Sequence, residues 1–398
     1  MELLIKNTRI VDSTKDFYGD IYIKNGIIET IGNNLDANCE IINGEEHVLL
    51  PSFTDLHCHF RFPGFTHKED ILSGSHAAVR GGYTAVNLMG NTSPICSTNE
   101  VLKIVLDEAK RVGLLDIHQV VSITKNFDGE TLGHLDEIKY PIRFISDDGK
   151  GIEKSRVMLD AMMKAKSMGL VIMSHVEHEE IVKKDTRLSE NIMTNRDIAL
   201  ARHTGCHLHV CHVSTKEAME EIIRAKDRGD MVTCEVAPHH IALTNDRVEY
   251  RVNPPIREEG DVNFLIDAIK KGYVDAIATD HAPHTVEDKL KGAPGLSGIE
   301  TSFGVCYTEL VKKGHITLSK LSEIMSKNPA KMMGLNSGEI KLGYAGDLVL
   351  VDLKTEVTID SNEFSSRGKN TPFNGMKFFG EIVKTIKNGK VVYRREQQ

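Results

Sequence analysis

The chain has 398 residues, of which 40% are hydrophobic and 27% are charged, a balance typical of globular proteins. Its formal net charge of −8 argues against non-specific binding to nucleic acids or anionic membranes, which need a basic surface. No apolar run approaches the ~18 residues of a membrane span, and the N-terminal segment lacks a signal-peptide pattern. The seven cysteines are odd in number and form no CxxC pair, which indicates reduced thiols and a cytoplasmic protein.

Both ends of the chain predict β-structure. The first 50 residues contain short alternating segments separated by turns with Gly, Asn and Asp, and the last 60 residues contain similar segments. Neither end is long enough for a core of its own. We therefore expect residues 1–50 and 339–398 to pair into one small β-sandwich.

Residues 51–338 predict a catalytic (β/α)8 barrel of the TIM type. Short strand-like runs alternate with helical patterns, and eight such repeats over roughly 280 residues match this fold in length and rhythm. The runs lie near residues 51–57, 83–89, 116–123, 141–147, 170–175, 207–213, 231–237 and 274–280. The clearest helices lie near 70–80, 99–112, 153–168, 190–203, 215–228 and 261–271. The alternative, an open doubly wound sheet, favours a Gly-rich phosphate-binding turn after its first strand, and no GxGxxG pattern is present.

Histidine is the unusual component of the composition, with 18 residues, several of them in tight clusters. Residues two apart on a strand point to the same side, so His57 and His59 share one face at the end of the first barrel strand. His175 ends the fifth predicted strand, His212 the sixth and Asp280 the eighth, each after alternating apolar positions. Catalytic residues of such barrels come from the carboxyl ends of several strands, so this pattern predicts an active site.

The spacing of these residues supports a single site. His175 and His212 are 37 residues apart, about one βα unit, and Asp280 follows 68 residues later, about two units. The acidic pair Asp147 and Asp148 ends the fourth strand, and strand phase alone does not separate the two. Four histidines and two carboxylates suit two zinc ions bridged by a carboxylate. The residues alone therefore indicate a binuclear metal hydrolase that acts on an amide-like bond.

Other histidines have simpler interpretations, because a lone histidine on a strand is more often structural than a ligand. His207 and His209 form a second HxH pair, but they are out of phase with His212, and we expect them to face the helix layer. His239 and His240 follow the seventh strand and are candidates for supporting the ligands. They open a long connection that reaches about residue 260, and such length inside a compact domain is usually functional.

Two signatures carry a resemblance to a known family. DLHCHFRFPG at 55–64 and ATDHAPHTVEDK at 278–289 resemble the paired signatures of the amidohydrolase superfamily and, more narrowly, of the class I bacterial dihydroorotases. The segments GGYTAVNLMGNTSP, ISDDGKGI, HVCHVSTKEA and VNPPIR are also similar to family segments. The resemblance covers nearly the whole chain and has the candidate ligands between its two signatures.

The resemblance implies a role for each candidate metal ligand. The more buried zinc would be bound by His57, His59 and Asp280, the second zinc by His175 and His212, and Asp148 would bridge the two ions. The family pattern thus selects the second aspartate of the DDG triplet. Asp280 would also be the catalytic acid–base group.

The resemblance also implies contacts with a substrate. Arg61, Asn91 and His284 would hold its carboxylate, Asn253 would contact a pyrimidine ring, and the backbone near Gly295 would close over it. The implied reaction is the reversible cyclisation of N-carbamoyl-L-aspartate to L-dihydroorotate with loss of water, in de novo pyrimidine (UMP) biosynthesis. Its nucleophile in the hydrolytic direction would be a hydroxide that bridges the zinc ions. The expected partner is this small molecule, with no nucleic acid and no membrane, and a homodimer is compatible with the sequence.

Two alternatives remain at this point. Dihydropyrimidinases, hydantoinases and allantoinases look similar but bridge their metals with a carboxylated lysine, whereas the fourth strand here ends SDDG with no lysine in phase. A non-enzymatic subunit that keeps the barrel for assembly should have lost ligands, and all six are present.

Overall fold

The structure, a computed structural model, describes residues 2–395 of the chain. Its strands are β1 (Glu2–Val11), β2 (Asp16–Lys24), β3 (Ile27–Gly32), β4 (Glu40–Asn43), β5 (Val48–Pro51), β6 (Phe53–Cys58), β7 (Tyr83–Leu88), β8 (Asp116–Gln119), β9 (Phe144–Ile145), β10 (Val171–Ser174), β11 (His207–Val210), β12 (Val232–Val236), β13 (Ala276–Ile277), β14 (Leu348–Thr358), β15 (Lys377–Lys387) and β16 (Lys390–Arg394).

The helices alternate with the central strands. They are α1 (Ile71–Arg80), α2 (Asn99–Val112), α3 (Ser155–Met168), α4 (Glu179–Val182), α5 (Thr186–Thr204), α6 (Lys216–Asp227), α7 (Pro238–Ala242), α8 (Glu259–Lys271), α9 (Val286–Leu290), α10 (Ser302–Cys306), α11 (Leu318–Ser322) and α12 (Asn328–Met333). All six helices that the sequence predicts most clearly are confirmed, with ends shifted by four residues or fewer. Local signals set several starts; for example, the hydroxyls of Thr98 and Thr215 accept from backbone N–H groups in the first turns of α2 and α6.

The eight central strands are parallel and follow one another around a ring. β6, β7 and β8 form one ladder, and β9 to β13 form a second. Two isolated parallel bridges join the ladders, one between Val121 and Ile145 and the other between Cys58 and His281. At the second junction the N–H of Asp280 donates to the carbonyl of His57 at 3.0 Å. The predicted α/β barrel architecture is confirmed, and its first and last strands meet beside the candidate ligands.

Strands from both ends of the chain share one eight-stranded sheet, in which β5 pairs with both β1 and β14. One edge of β1 branches, because its first half pairs with β4 and its second half with β5. Asn7, with φ of 56°, lies at the irregularity between the two halves. A separate apolar cluster packs on this sheet and includes Leu3, Ile21 and Ile386. Strands from both termini thus share one sheet, while the composite β-sandwich of residues 1–50 and 339–398 stays a prediction.

Apolar residues form two layers around the central strands. The larger layer lies between strands and helices and includes Leu208 and Val210. A smaller cluster fills the barrel interior and includes Met173, Cys211 and Ala276. Within residues 2–395, no helix is both long enough and apolar enough to cross a membrane.

A buried ion pair joins the terminal sheet to the barrel. The Lys387 ammonium at the end of β15 lies 2.7 Å from Asp347 and 2.6 Å from Asp116 of β8. Asp347 also accepts from the backbone N–H of Asn388 at 2.7 Å. Lys387 is 8% exposed and Asp347 is 3% exposed, so water cannot solvate either charge well if its partner is removed.

We expect Lys387→Met to lower the free energy of unfolding by about 3–5 kcal/mol, because it leaves the Asp347 carboxylate buried without its cation. Urea denaturation followed by circular dichroism measures the change. Lys103→Met is the matched control, since Lys103 and its partner Asp107 are both solvent-exposed. Equal stability of the two variants would contradict a structural role for the buried pair.

Candidate metal centre

The six predicted ligands meet at the carboxyl end of the barrel. We call them the six-residue cluster: His57, His59, Asp148, His175, His212 and Asp280. His57 belongs to β6 and the others follow β6, β9, β10, β11 and β13 directly or within three residues. Every member is buried, with at most 7% of its surface exposed. The fold therefore brings together residues that are more than 200 positions apart in the sequence.

One half of the cluster contains both histidines of the first strand. The Asp280 Oδ1 atom lies 3.1 Å from His59 Nε2 and 3.6 Å from His57 Nε2. One potential ligand atom from each of these three residues lies within 4.8 Å of the other two. This is the spacing of atoms that can share one metal ion.

The second half surrounds Asp148. Its Oδ1 atom lies 3.3 Å from His175 Nδ1, 3.6 Å from His212 Nε2 and 3.4 Å from His57 Nε2. Its Oδ2 atom lies 3.5 Å from His59 Nε2, so the two oxygens of one carboxylate face all four imidazoles. A carboxylate in this position can bridge two ions.

The donor atoms fit zinc. The buried atoms His57 Nε2 and Asp148 Oδ1 have no hydrogen-bond partner among the described residues, although most buried polar atoms in proteins are paired. The ring nitrogens His175 Nδ1 and His212 Nε2 approach each other to 2.9 Å. Unpaired imidazole nitrogens directed at carboxylate oxygens are the donor set that zinc prefers.

Within the cluster, the electrostatics favour the anionic form of the two carboxylates and the protonated form of His175. Burial opposes ionisation of Asp148, but the imidazoles of His57, His175 and His212 hold its pKa well below the usual range. Burial also opposes ionisation of Asp280, and the imidazoles around it, His59 first, lower its pKa. In His175, burial is outweighed by Asp148 and Glu177, which raise the pKa to about 10. Both carboxylates are thus anionic and available as ligands.

Asp147 and Asp148 have different roles. The Asp147 carboxylate turns away from the cluster and accepts from the N–H of Ile123 at 2.7 Å and of Thr124 at 3.1 Å. Burial raises the pKa of Asp147 to about 7, against these hydrogen bonds. The structure thus separates the pair in favour of Asp148, a distinction that strand phase could not make.

The expected strand phase is wrong for β11. Leu208 and Val210 face the helix layer, while the interior position next to His212 is taken by Cys211. His212 reaches the cluster because its φ of 34° places it in the left-handed region and breaks the alternation of the strand. Asp280 also has a positive φ, 46°, so two of the predicted ligands depend on a strained turn at a strand end.

Arg61 and His284 lie together beside the cluster. An Arg61 terminal nitrogen lies 3.3 Å from His284 Nε2, and Arg61 Nε donates to the Pro283 carbonyl at 3.3 Å. Burial lowers the pKa of Arg61 to about 10 and that of His284 to about 3. At neutral pH Arg61 is therefore a desolvated cation, which suits a carboxylate ligand.

Asn91 contacts both halves of the cluster. Its Oδ1 accepts from His59 Nδ1 at 2.9 Å, and its Nδ2 lies 3.5 Å from the Asp148 carbonyl. Asn91 thus orients a predicted ligand, a contact that the sequence did not indicate.

The other two predicted substrate contacts, Asn253 and Gly295, lie in loops. Asn253 is half-buried, and its neighbour Pro254 lines a small pocket together with His175 and His212. Gly295 has φ of 122°, and a Cβ there would lie 2.7 Å from that of Ala282, so only glycine fits.

Lys289 connects these loops. Its ammonium donates to three backbone carbonyls, those of Arg251 at 3.0 Å, Ala293 at 2.8 Å and Gly295 at 2.9 Å. It also lies over the ring of Tyr250. The segment before Asn253 and the segment at Gly295 are therefore tied to one side chain.

Glu235 was not predicted as a functional residue from the sequence, and the predicted position of His209 in the helix layer is wrong. Glu235 of β12 is 1% exposed, and its two oxygens lie 2.7 Å from His57 Nδ1 and 3.0 Å from His209 Nε2. His209 therefore lies inside the barrel and not in the helix layer. The available signal was the carboxylate itself, since an acidic residue in an otherwise buried strand requires a partner.

Comparisons with known proteins agree with this geometry. Residues 48–392 match the model of the amidohydrolase family. The chain shares 26% identity with the L-hydantoinase (dihydropyrimidinase) of Arthrobacter aurescens, with a TM-score of 0.90 over 99% of this chain and 96% of that one. A dihydropyrimidinase of Brevibacillus agri, at 24% identity and a TM-score of 0.91 over 100% and 96% of the two chains, shares the fold. The chain belongs to the amidohydrolase family, as the barrel and its cluster of ligands indicate.

Curated relatives define the branch of that family. A dihydroorotase of Clostridium botulinum is 54% identical over 99% of this chain and 100% of its own length. A dihydroorotase of Acetivibrio thermocellus is 37% identical over 99% of both chains. The chain is thus a cyclic amidohydrolase of the dihydroorotase group.

We expect Asp148→Ala to lose most bound metal, because the carboxylate that faces all four imidazoles is removed. Elemental analysis of protein purified in parallel with wild type measures metal per chain. His134→Gln is the control, since His134 is buried but bonds only to Ser122. Wild-type metal content in the Asp148 variant would contradict its place as a ligand.

Proposed function

We propose that the chain catalyses the reversible cyclisation of N-carbamoyl-L-aspartate to L-dihydroorotate with loss of water, a step of de novo pyrimidine biosynthesis. The observation that carries this proposal is the half-buried cation Arg61 beside the six-residue cluster, 3.3 Å from His284. A hydrolase for a ring amide needs the cluster, and a substrate with a ring carboxylate also needs the cation. The names of the curated relatives support the same reaction.

In this proposal the six-residue cluster holds two zinc ions. His57, His59 and Asp280 would bind one ion and His175 and His212 the other, with Asp148 between them. Bound zinc would polarise the substrate carbonyl and lower the pKa of water, so that hydroxide is present at neutral pH.

The side chains supply orientation and proton transfer. Arg61 and His284, with Asn91 beside them, would hold the carboxylate of the substrate, and Asn253 would contact its ring. Gly295 would approach the substrate through its backbone. In the hydrolytic direction water adds to the ring carbonyl, Asp280 accepts a proton from that water, and the proton then passes to the leaving ring nitrogen. In cyclisation Asp280 returns the proton.

Charge complementarity supports an acidic substrate despite the net charge of −8. Two divalent ions outweigh the charges of Asp148 and Asp280, and Arg61 adds a further positive charge. The local potential is therefore opposite in sign to that of the whole chain. A cytoplasmic location and a homodimer stay predictions.

The decisive experiment offers dihydroorotate, hydantoin and allantoin to purified protein of known zinc content. The proposal expects hydrolysis of dihydroorotate with about two zinc ions per chain. Preference for hydantoin or allantoin, or no turnover with zinc present, would overturn it.

Arg61→Met should raise KM for dihydroorotate by about 10- to 100-fold, because a charge-assisted contact worth about 1.5–3 kcal/mol is lost. Zinc content should stay at the wild-type value, since Arg61 contacts Pro283 and His284 but no member of the six-residue cluster. Steady-state kinetics and elemental analysis test both statements. Arg143→Met, at an exposed arginine bonded to Met332, is the control. Loss of zinc in the Arg61 variant would mean that this residue supports the metal centre instead.

The two directions should differ in their dependence on pH. Carbamoyl aspartate carries one more carboxylate than dihydroorotate, so cyclisation consumes a proton, and its equilibrium weakens by about tenfold per pH unit. Because the pKa of Asp280 lies below its usual range, the base for hydrolysis is present at neutral pH and is lost only in acid. Cyclisation needs the protonated form and should slow as pH rises.

Rates in both directions on one preparation, from about pH 5 to pH 10, test this assignment. Profiles with the same slope throughout would show that Asp280 is a ligand only and carries no proton.

A further inference from the structure

We propose that Glu235, held by His209, is a positioning residue that fixes the tautomer of His57 and so strengthens metal binding at the six-residue cluster. This inference rests on the proposed metal centre. It concerns two residues that take part in no step of the proposed reaction. They lie inside the barrel, below the ligands, on β12 and β11.

The first step of the argument is the pairing of Glu235. One of its oxygens lies 2.7 Å from His57 Nδ1 and the other lies 3.0 Å from His209 Nε2. All three side chains are at most 1% exposed, so water cannot replace either contact. A buried carboxylate has only acceptor sites, and each imidazole must therefore direct an N–H toward it.

The second step is the arrangement beyond His209. Its Nδ1 lies 2.9 Å from the Thr233 hydroxyl oxygen, and His207 Nε2 lies 2.9 Å from the same oxygen. One pattern satisfies every atom: His207 donates to the hydroxyl, the hydroxyl donates to His209, and His209 donates to Glu235. The row of hydrogen bonds therefore fixes which nitrogen of His209 carries the proton.

The third step is the consequence for His57. Because His57 Nδ1 carries the proton and donates it to Glu235, the lone pair of Nε2 is directed at Asp148 and Asp280, which lie 3.4 and 3.6 Å away. Zinc binds only the unprotonated nitrogen of an imidazole, and a carboxylate partner makes that nitrogen more basic. His59 has the weaker amide oxygen of Asn91 in the same place, so His57 is the ligand with the strongest support.

Cys211 supplies a competing explanation. One atom each from His57, Cys211 and Glu235 lies within a distance that a metal ion could span. Both oxygens of Glu235 already face imidazole nitrogens, which favours the hydrogen-bonded arrangement. The two explanations differ in the zinc content that they expect when Cys211 is replaced.

Glu235→Gln is the main test. The amide is neutral and can accept from only one of the two imidazoles, so His57 loses either its acceptor or the negative charge that made its other nitrogen more basic. We expect zinc affinity, measured by competition with a chromogenic chelator, to fall by about 10- to 100-fold. At saturating zinc the KM for dihydroorotate should stay unchanged, because no substrate contact is altered.

Asp347→Asn is the matched control for burial. It also neutralises a buried carboxylate, but this carboxylate pairs with Lys387 of β15. Asp347 is far from the cluster in the sequence and directly precedes β14 of the terminal sheet. The substitution should reduce stability and leave zinc affinity at the wild-type value. An equal fall in zinc affinity in this control would mean that the effect of Glu235→Gln is a general loss of stability, and would overturn the inference.

Two substitutions at His209 test whether this residue holds Glu235 in place. His209→Gln keeps an N–H donor near the position of Nε2 and should retain zinc affinity, whereas His209→Leu removes the donor and should weaken it. Equal affinities in these two variants would overturn the role of His209.

The remaining outcomes separate this inference from the proposed function. Wild-type protein that binds no zinc overturns both. Normal zinc binding in wild type with unchanged affinity in Glu235→Gln overturns only the inference. Loss of one zinc ion in Cys211→Ser would show that Glu235 is itself a ligand, and would also overturn it, whereas unchanged zinc content in that variant supports the hydrogen-bonded arrangement.

Discussion

Two carboxylates buried among four imidazoles are the constraint on which the rest of the structure depends. An isolated buried carboxylate would be costly, but Asp148 and Asp280 each have several imidazoles within 4 Å, which hold their pKa values low. Their positions come from strand ends that are adjacent only because the barrel closes between β6 and β13. The hydrogen bond from the N–H of Asp280 to the carbonyl of His57 lies at this closure, so two members of the cluster also join the first and last strands of the barrel.

The terminal sheet contributes to the same site although none of its residues belongs to the cluster. Asn370, in the segment before β15, accepts from the N–H of His284 at 2.8 Å and donates to the carbonyl of Gly295 at 3.1 Å. Ser366 of that segment hydrogen-bonds to Glu69, which is fully buried next to His281. The C-terminal segment thus orders the side of the pocket that contains His284 and Gly295.

Alternation along strands and spacing between them were sufficient to predict the barrel and five residues of the cluster, while the choice of Asp148 came from the family resemblance. They were insufficient where the backbone departs from regular geometry. His212 follows a strand whose interior positions are His209 and Cys211, and only its positive φ returns it to the site. Glu235 was invisible for a different reason, because its partners come from other strands and no local pattern indicates a long-range pair of hydrogen bonds. Asp147 and Asp148 can be distinguished only in the structure, which shows the backbone N–H groups from which the Asp147 carboxylate accepts.

The three carbonyl contacts of Lys289 have a consequence for how the pocket receives a ligand. They span the connection after β12 and the segment after α9, so these two loops are cross-linked before any ligand arrives. Ordering a loop on binding costs conformational entropy, and a loop that is already ordered in the free protein avoids that cost. Burial lowers the pKa of Lys289 to about 8, so a fraction of the ammonium loses its proton in mildly alkaline solution. The order of these two loops, and with it the entropy that a ligand would have to offset, is therefore coupled to a single amine.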